Sequence, residues 1–196
     1  MLVVDAVLAC APQDVPVRVA VDGPACAAPD DVSAAMAAVV RGLGREPIVI
    51  RTQDFWRDAS LRLEFGRQDV DAYFEGWLDR SALEREVLRP LGPDGDRRYL
   101  PALRDARSNR SARAPYRSAA PGSVVLVSGD LLLGRQLSFD RAVHLAVSPG
   151  ARRRRTDPDW AWTLPALDRY DDEVHPADIA DVVVSWNDPA RPALRS

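Results

Sequence analysis

The 196-residue sequence contains no lysine: all 26 basic residues are arginine, and alanine, proline and aspartate are abundant, as in proteins from GC-rich bacterial genomes. Any ammonium-dependent chemistry would have to pass to a guanidinium, which has a different geometry. There are only two cysteines, Cys10 and Cys26, too few for a disulfide framework or a cysteine zinc site, which suggests a reducing, cytoplasmic setting. No G-x-S-x-G, H-E-x-x-H or paired-cysteine motif occurs, and there are no repeats, low-complexity tracts or linkers. The opening MLVVDAVLACAPQ lacks a basic flank and is too short to span a bilayer, so it reads as a short packing helix. A net charge of −3 argues against general nucleic-acid or anionic-membrane binding.

What is present is an ordinary globular composition, 46% hydrophobic and 28% charged, long enough for one domain over residues 1–196. Short apolar runs at 17–21, 47–50, 123–127, 142–147 and 181–185 alternate with helical patterns at 32–43, 70–78, 81–91, 149–156 and 160–174. This order predicts a three-layer α/β fold with a mostly parallel sheet of about five strands. A solvent-facing hairpin is expected near Ser108 and Asn109.

The stretch VRVAVDGPACAAPDDVSAAM, residues 17–36, organises the rest: a buried strand ends at Asp22 and Gly23 and turns into a helix. That is how a phosphate-binding loop begins. With G-x-x-x-x-G-K-[ST] spacing from Gly23, the second glycine falls on Ala28, the lysine on Pro29 and the hydroxyl on Asp30. Proline donates no N–H, and aspartate sets negative charge where phosphate would lie. Both residues suit the first turn of a helix, so the loop reads as structural. Ligand sites in open α/β sheets gather at the carboxyl ends of strands, so Gly23 and Asp54 are expected on one rim.

The order of pieces resembles the uridine kinase-like branch of the P-loop nucleoside kinases, from Arg18 to about Asp188. The residues carrying it are VAVDG at 19–23, TQDFW at 52–56, LRLEFGRQDVDAYFEGW at 61–77, VLVSGDLLL at 125–133, SPGARRRR at 148–155 and ADVVVS at 180–185. The resemblance implies that Asp54 is the base that takes a proton from an attacking sugar hydroxyl; the residues alone also allow a cap for 55–57. It implies that residues 55–116 cover the acceptor side, with Arg62, Arg67, Tyr73 and Phe74 near a base and sugar, although helical spacing equally makes the aromatics core residues and the arginines surface charge. It implies that residues 149–160 form a lid whose Arg152, Arg153, Arg154 and Arg155 face transferring phosphate, of which no more than two can face one ligand. The sequence departs from the family at the phosphate loop and at Ser128, where an acidic residue is expected before Gly129. His144, inside an apolar strand, and His175, before a proline, read as structural.

Losing one preorganised donor costs on the order of 10²–10³ in rate, and losing two independent ones roughly 10⁴ or more. The expectation is therefore a nucleoside- or nucleotide-binding pseudoenzyme with no confidently assigned cofactor or metal. Two alternatives stand beside it. One is an active nucleoside or small-metabolite kinase using ATP and Mg²⁺, with Arg18 or the 152–155 run replacing lysine and Asp22, Asp30 or Asp130 holding the metal. The other is a structural partner subunit in a homo-oligomer or with another protein.

Overall fold

The computed structural model describes residues 2–9 and 12–195, so Cys10 lies outside the described residues. Helix α1 (Leu2–Leu8) is the short packing helix its sequence predicts, with Val4 and Val7 buried. Strand β1 (Val17–Asp22) is buried along its whole length. It leads through Gly23 and a 3₁₀ turn (Ala25–Ala27) into α2 (Pro29–Gly42). Strand β2 (Pro47–Arg51) ends in a second 3₁₀ turn (Thr52–Phe55).

The excursion that follows contains α3 (Ala59–Arg62), α4 (Val70–Gly76) and α5 (Arg80–Leu83). The helix expected at 81–91 is instead α5 continued by a π-helical turn (Glu84–Leu88). The expected hairpin is two short ribbons: β3 (Arg98–Tyr99) pairs with β6 (Arg117–Ser118), and β4 (Arg104–Asp105) with β5 (Arg110–Ser111). Strand β7 (Val124–Gly129) and strand β8 (Arg141–Ala146) follow, then α6 (Pro149–Arg155). In place of the continuous helix expected from Trp160, Pro158 opens a 3₁₀ segment (Pro158–Thr163), followed by α7 (Leu164–Val174) and α8 (Pro176–Ile179). The chain closes with β9 (Val182–Ser185) and β10 (Ala193–Arg195).

The sheet order is β10-β9-β8-β1-β7-β2, all parallel except β10, which runs antiparallel to β9. The five expected strands are thus joined by a sixth, exposed and three residues long, which carries no apolar alternation to announce it. Strand alternation builds the layers. Val19 and Val21 pack with Val124 and Leu126 under α1 and α2. Ala20 and Ala142 face Phe74, Leu167 and Tyr170 of α4 and α7, while Val125 and Val127 face Leu83, Val87 and Leu88. Each fully buried valine or leucine contributes about 1.5–3 kcal/mol, which explains why the central strands are predominantly apolar, with Arg18, Asp22 and His144 as the buried polar exceptions in β1 and β8.

The same alternation continues past the apolar residues: Asp22 follows Ala20, and His144 follows Ala142, onto the α7 face. Asp22 and His144 are direct partners in the β1–β8 register. No helix among the described residues is long and apolar enough to cross a membrane.

Candidate functional site

Gly23 allows β1 to run close to β8, because a Cβ there would lie 2.8 Å from Cβ of Leu145. After it the loop closes on itself. Ala27 and Ala28 donate their N–H groups to Pro24 and Ala25 oxygens at 2.7 and 2.9 Å, and Asp31 and Val32 both donate to the Ala28 oxygen. Pro24 and Pro29 have no N–H. Ala28 occupies the left-handed region (φ 51°, ψ 58°) as the chain enters α2. The residues present do not fit a nucleotide phosphate: few amides are free, and the helix start carries Asp30 and Asp31.

Asp30 and Ser128 meet. The family pattern would place a hydroxyl at the first position and a carboxylate at the second; here they are exchanged, and Ser128 Oγ donates to Asp30 Oδ1. Beside them, Tyr73 donates its hydroxyl to Asp130. Burial pushes the Asp130 carboxyl up to about 6, with the charges of Asp22 and Asp30 adding to the rise and the Tyr73 hydrogen bond opposing it. Burial and Asp130 likewise raise the Tyr73 phenol well above its ordinary range. Among the described residues, no three acidic, histidine or cysteine side chains converge to hold a metal.

Asp30, Tyr73 and Asp130 line a cleft of about 510 Å³ at the carboxyl edge of β1, β2 and β7. Asp30, Asp31 and Asp130 supply its negative charge, Arg107 is its guanidinium, and Trp56, Tyr73 and Trp160 are its aromatic walls. Arg107 and Trp160 fall within the expected cover and lid, but the sequence reading does not single them out as site residues. Trp160 is 41% exposed, which is high for a tryptophan, and stacks on Trp162 with ring centres 6.2 Å apart.

Asp54 stands directly after β2, one residue beyond the cleft-lining Thr52 and Gln53. Its place at a strand end predicts partial exposure to the cleft, yet it is only 8% exposed. Arg51 donates from Nε and a terminal nitrogen to both of its carboxylate oxygens, at 2.9 and 3.0 Å. This hydrogen bond raises the pKa of Arg51 and commits both oxygens of Asp54.

On the acceptor side, Tyr73 borders the cleft, whereas Phe74 is buried with the guanidinium carbons of Arg135 and Arg169 at 4.0 and 4.1 Å from its ring centre. Arg62 lies over Trp56 and Trp77 and donates to the Arg57 oxygen. Arg67 is exposed in the turn before α4.

The four lid arginines diverge. Arg152 is 3% exposed and binds Asp168 and Asp171 at 2.6 and 2.8 Å. Arg155 donates to the carbonyls of Trp186 and Cys26, bracing the loop. Arg153 and Arg154 face outward. Arg18, a candidate lysine substitute, sits at the opposite end of β1, bound to Asp140 and the Leu88 oxygen.

Behind the loop lies a second hollow of about 360 Å³. His144 Nδ1 is 2.7 Å from Asp22 Oδ2, while Asp22 Oδ1 accepts from the Leu132 N–H at 2.9 Å and from the Tyr170 hydroxyl at 3.3 Å. Burial, then Asp22, raises the Tyr170 phenol far above its ordinary range. Sequence reasoning takes His144 as structural and does not link it to Asp22; the signal lies in the equal spacing of Ala20–Asp22 and Ala142–His144.

No family model matches the sequence, and no curated protein matches it. Among solved structures, the chain is similar to a possible uridine kinase from Bacillus stearothermophilus (TM-score 0.72, 15% identity, 93% of this chain and 99% of that one). It is also similar to a proposed fructose transport system kinase from Silicibacter sp. TM1040 (TM-score 0.57, 19% identity, 92% of this chain and 88% of that one). The parallel order β2-β7-β1-β8-β9, the loop after β1 and these two likenesses together give the protein the fold of the uridine kinase-like P-loop kinases.

Proposed function

We propose that the protein is a nucleoside- or nucleotide-binding pseudoenzyme, a kinase fold that has lost ordinary ATP-dependent phosphotransfer and keeps a small-molecule cleft. The observation that carries this reading is the self-closed loop: Ala27 and Ala28 donate within it, and Asp30 stands at the helix start. A phosphate chain there would meet carboxylates rather than N–H groups. Trp56, Tyr73 and Trp160 leave room and aromatic surface for a base, with residues 55–116 as cover and 149–160 as lid. Asp54, chelated by Arg51, is a base in reserve at most.

Separate calorimetric titrations with uridine or cytidine and with ATP·Mg²⁺ test this. Heat from the nucleoside alone supports the pseudoenzyme. Heat from both favours the active kinase, and heat from neither favours a structural subunit.

A further inference from the structure

We propose that the main cleft selects for positive charge, so that it takes a nucleoside whose base carries a delocalised cation in preference to an uncharged one. The proposal rests on the reading of this cleft as a nucleoside site and names the class of base that it favours.

The charges round the cleft decide the sign. Asp30, Asp31 and Asp130 line it, and among the described residues none of the three is paired with a cation. Asp30 accepts from the neutral hydroxyl of Ser128, Asp130 accepts from the neutral hydroxyl of Tyr73, and the exposed Asp31 makes no side-chain hydrogen bond. Against them stand the exposed Arg107 and the start of α2, which is worth about half a positive charge. Two nearby arginines are engaged elsewhere: Arg51 chelates Asp54, and Arg62 lies over Trp56 and Trp77. The cleft is therefore net negative. Burial first, and then Asp22 and Asp30, hold the Asp130 carboxyl up near 6, and a positive ligand would relieve that repulsion.

The spread of the charge decides the kind of cation. Among the described residues no three acidic side chains converge on one point, so the potential suits a charge spread over a ring rather than a point charge. The walls are Trp56, Tyr73 and Trp160, and aromatic faces attract cations that lie against them. Trp160, 41% exposed, offers open ring surface, and the Arg62 guanidinium, 5.0 Å from the centre of Trp56, shows the same attraction in use beside the cleft. Thr52 adds a polar anchor: the residue is 3% exposed and lines the cleft, and among the described residues its hydroxyl makes no hydrogen bond and is not sealed from solvent. The volume, about 510 Å³, lies within the range of small-molecule sites.

Calorimetric titration with 3-methylcytidine and 5-methylcytidine at pH 7.5 tests this, since the two are isomers and only the first is positively charged at that pH. The cationic isomer should bind about tenfold more tightly. Asp31→Asn, an exposed change, should weaken 3-methylcytidine about threefold and leave 5-methylcytidine unchanged. Equal affinities, or tighter binding of 5-methylcytidine, would overturn the preference for charge while leaving the nucleoside reading standing. Binding of neither isomer, nor of uridine or cytidine, would instead remove the nucleoside reading and this proposal with it. An advantage of 3-methylcytidine that Asp31→Asn leaves untouched would overturn the electrostatic origin proposed here.

Discussion

The substitution Asp130→Asn should stabilise the protein at neutral pH, an unusual outcome for a residue lining a cleft. The carboxyl is pushed from 3.8 to about 6 on folding, chiefly by burial and further by Asp22 and Asp30. A raised carboxylate pKa means that the folded state resists ionisation: the stability is fully present below the unfolded pKa and is lost as pH rises through the folded one. A rise from 3.8 to about 6 corresponds to about 3 kcal/mol lost by pH 7.5. At pH 5 the folded carboxyl is largely protonated, and the same relation gives about half that loss. The amide would keep an oxygen to accept from Tyr73 and would carry no charge. Urea unfolding of both proteins at pH 7.5 and pH 5 measures the difference through the midpoint at constant slope. The variant should be the more stable at pH 7.5, by up to about 3 kcal/mol, with the gain shrinking at pH 5. A variant less stable at pH 7.5, or a gain unaffected by pH, would refute the electrostatic account of the cleft.

Ala28→Gly should raise stability by about 0.5–1 kcal/mol in the same unfolding assay, since φ 51° strains alanine more than the added chain entropy costs. Gly23→Ala should lower it by about 1–3 kcal/mol, because the new methyl would press on Leu145 at 2.8 Å. The triple change Ala28→Gly, Pro29→Lys and Asp30→Thr should bring ATP affinity into the calorimetric range if the loop alone blocks phosphate; no gain would place the obstacle elsewhere in the cleft. Asp54→Asn should leave nucleoside affinity, measured by titration, within about a factor of two, since both of its oxygens are committed to Arg51 rather than to the cleft.

The parallel strands are legible in the sequence because burial on both faces demands apolar runs, and these stand out at 123–127 and, interrupted by Arg18, at 17–21; the run at 47–50 is legible too, but as the edge strand β2 it is covered on one face only and leaves Val49 exposed. Strand β10 is not, being short and exposed. The loop's departure from the phosphate-loop motif can be read from Pro29 and Asp30, because proline's missing N–H and aspartate's charge are properties of the residues themselves. What the residues do not reveal is pairing across the fold. Asp30 and Ser128 each stand out as misplaced, yet their exchange becomes one hydrogen bond only when β7 lies beside β1. The position of Asp54 after a strand fixes its place and not the guanidinium three residues earlier that turns its oxygens away. Arg152 and Arg155 read as ligand-facing candidates, but Asp168, Asp171 and two carbonyls reached from other elements hold them.

The central claim, that phosphotransfer has been lost, is tested most directly by single-turnover transfer of labelled γ-phosphate from ATP·Mg²⁺ to uridine or cytidine, with the protein in excess over nucleotide. The account predicts no nucleoside monophosphate above that formed without protein. Product formed at about 1 s⁻¹ or faster, the range of ordinary enzymes, and abolished by Asp54→Asn, would contradict it.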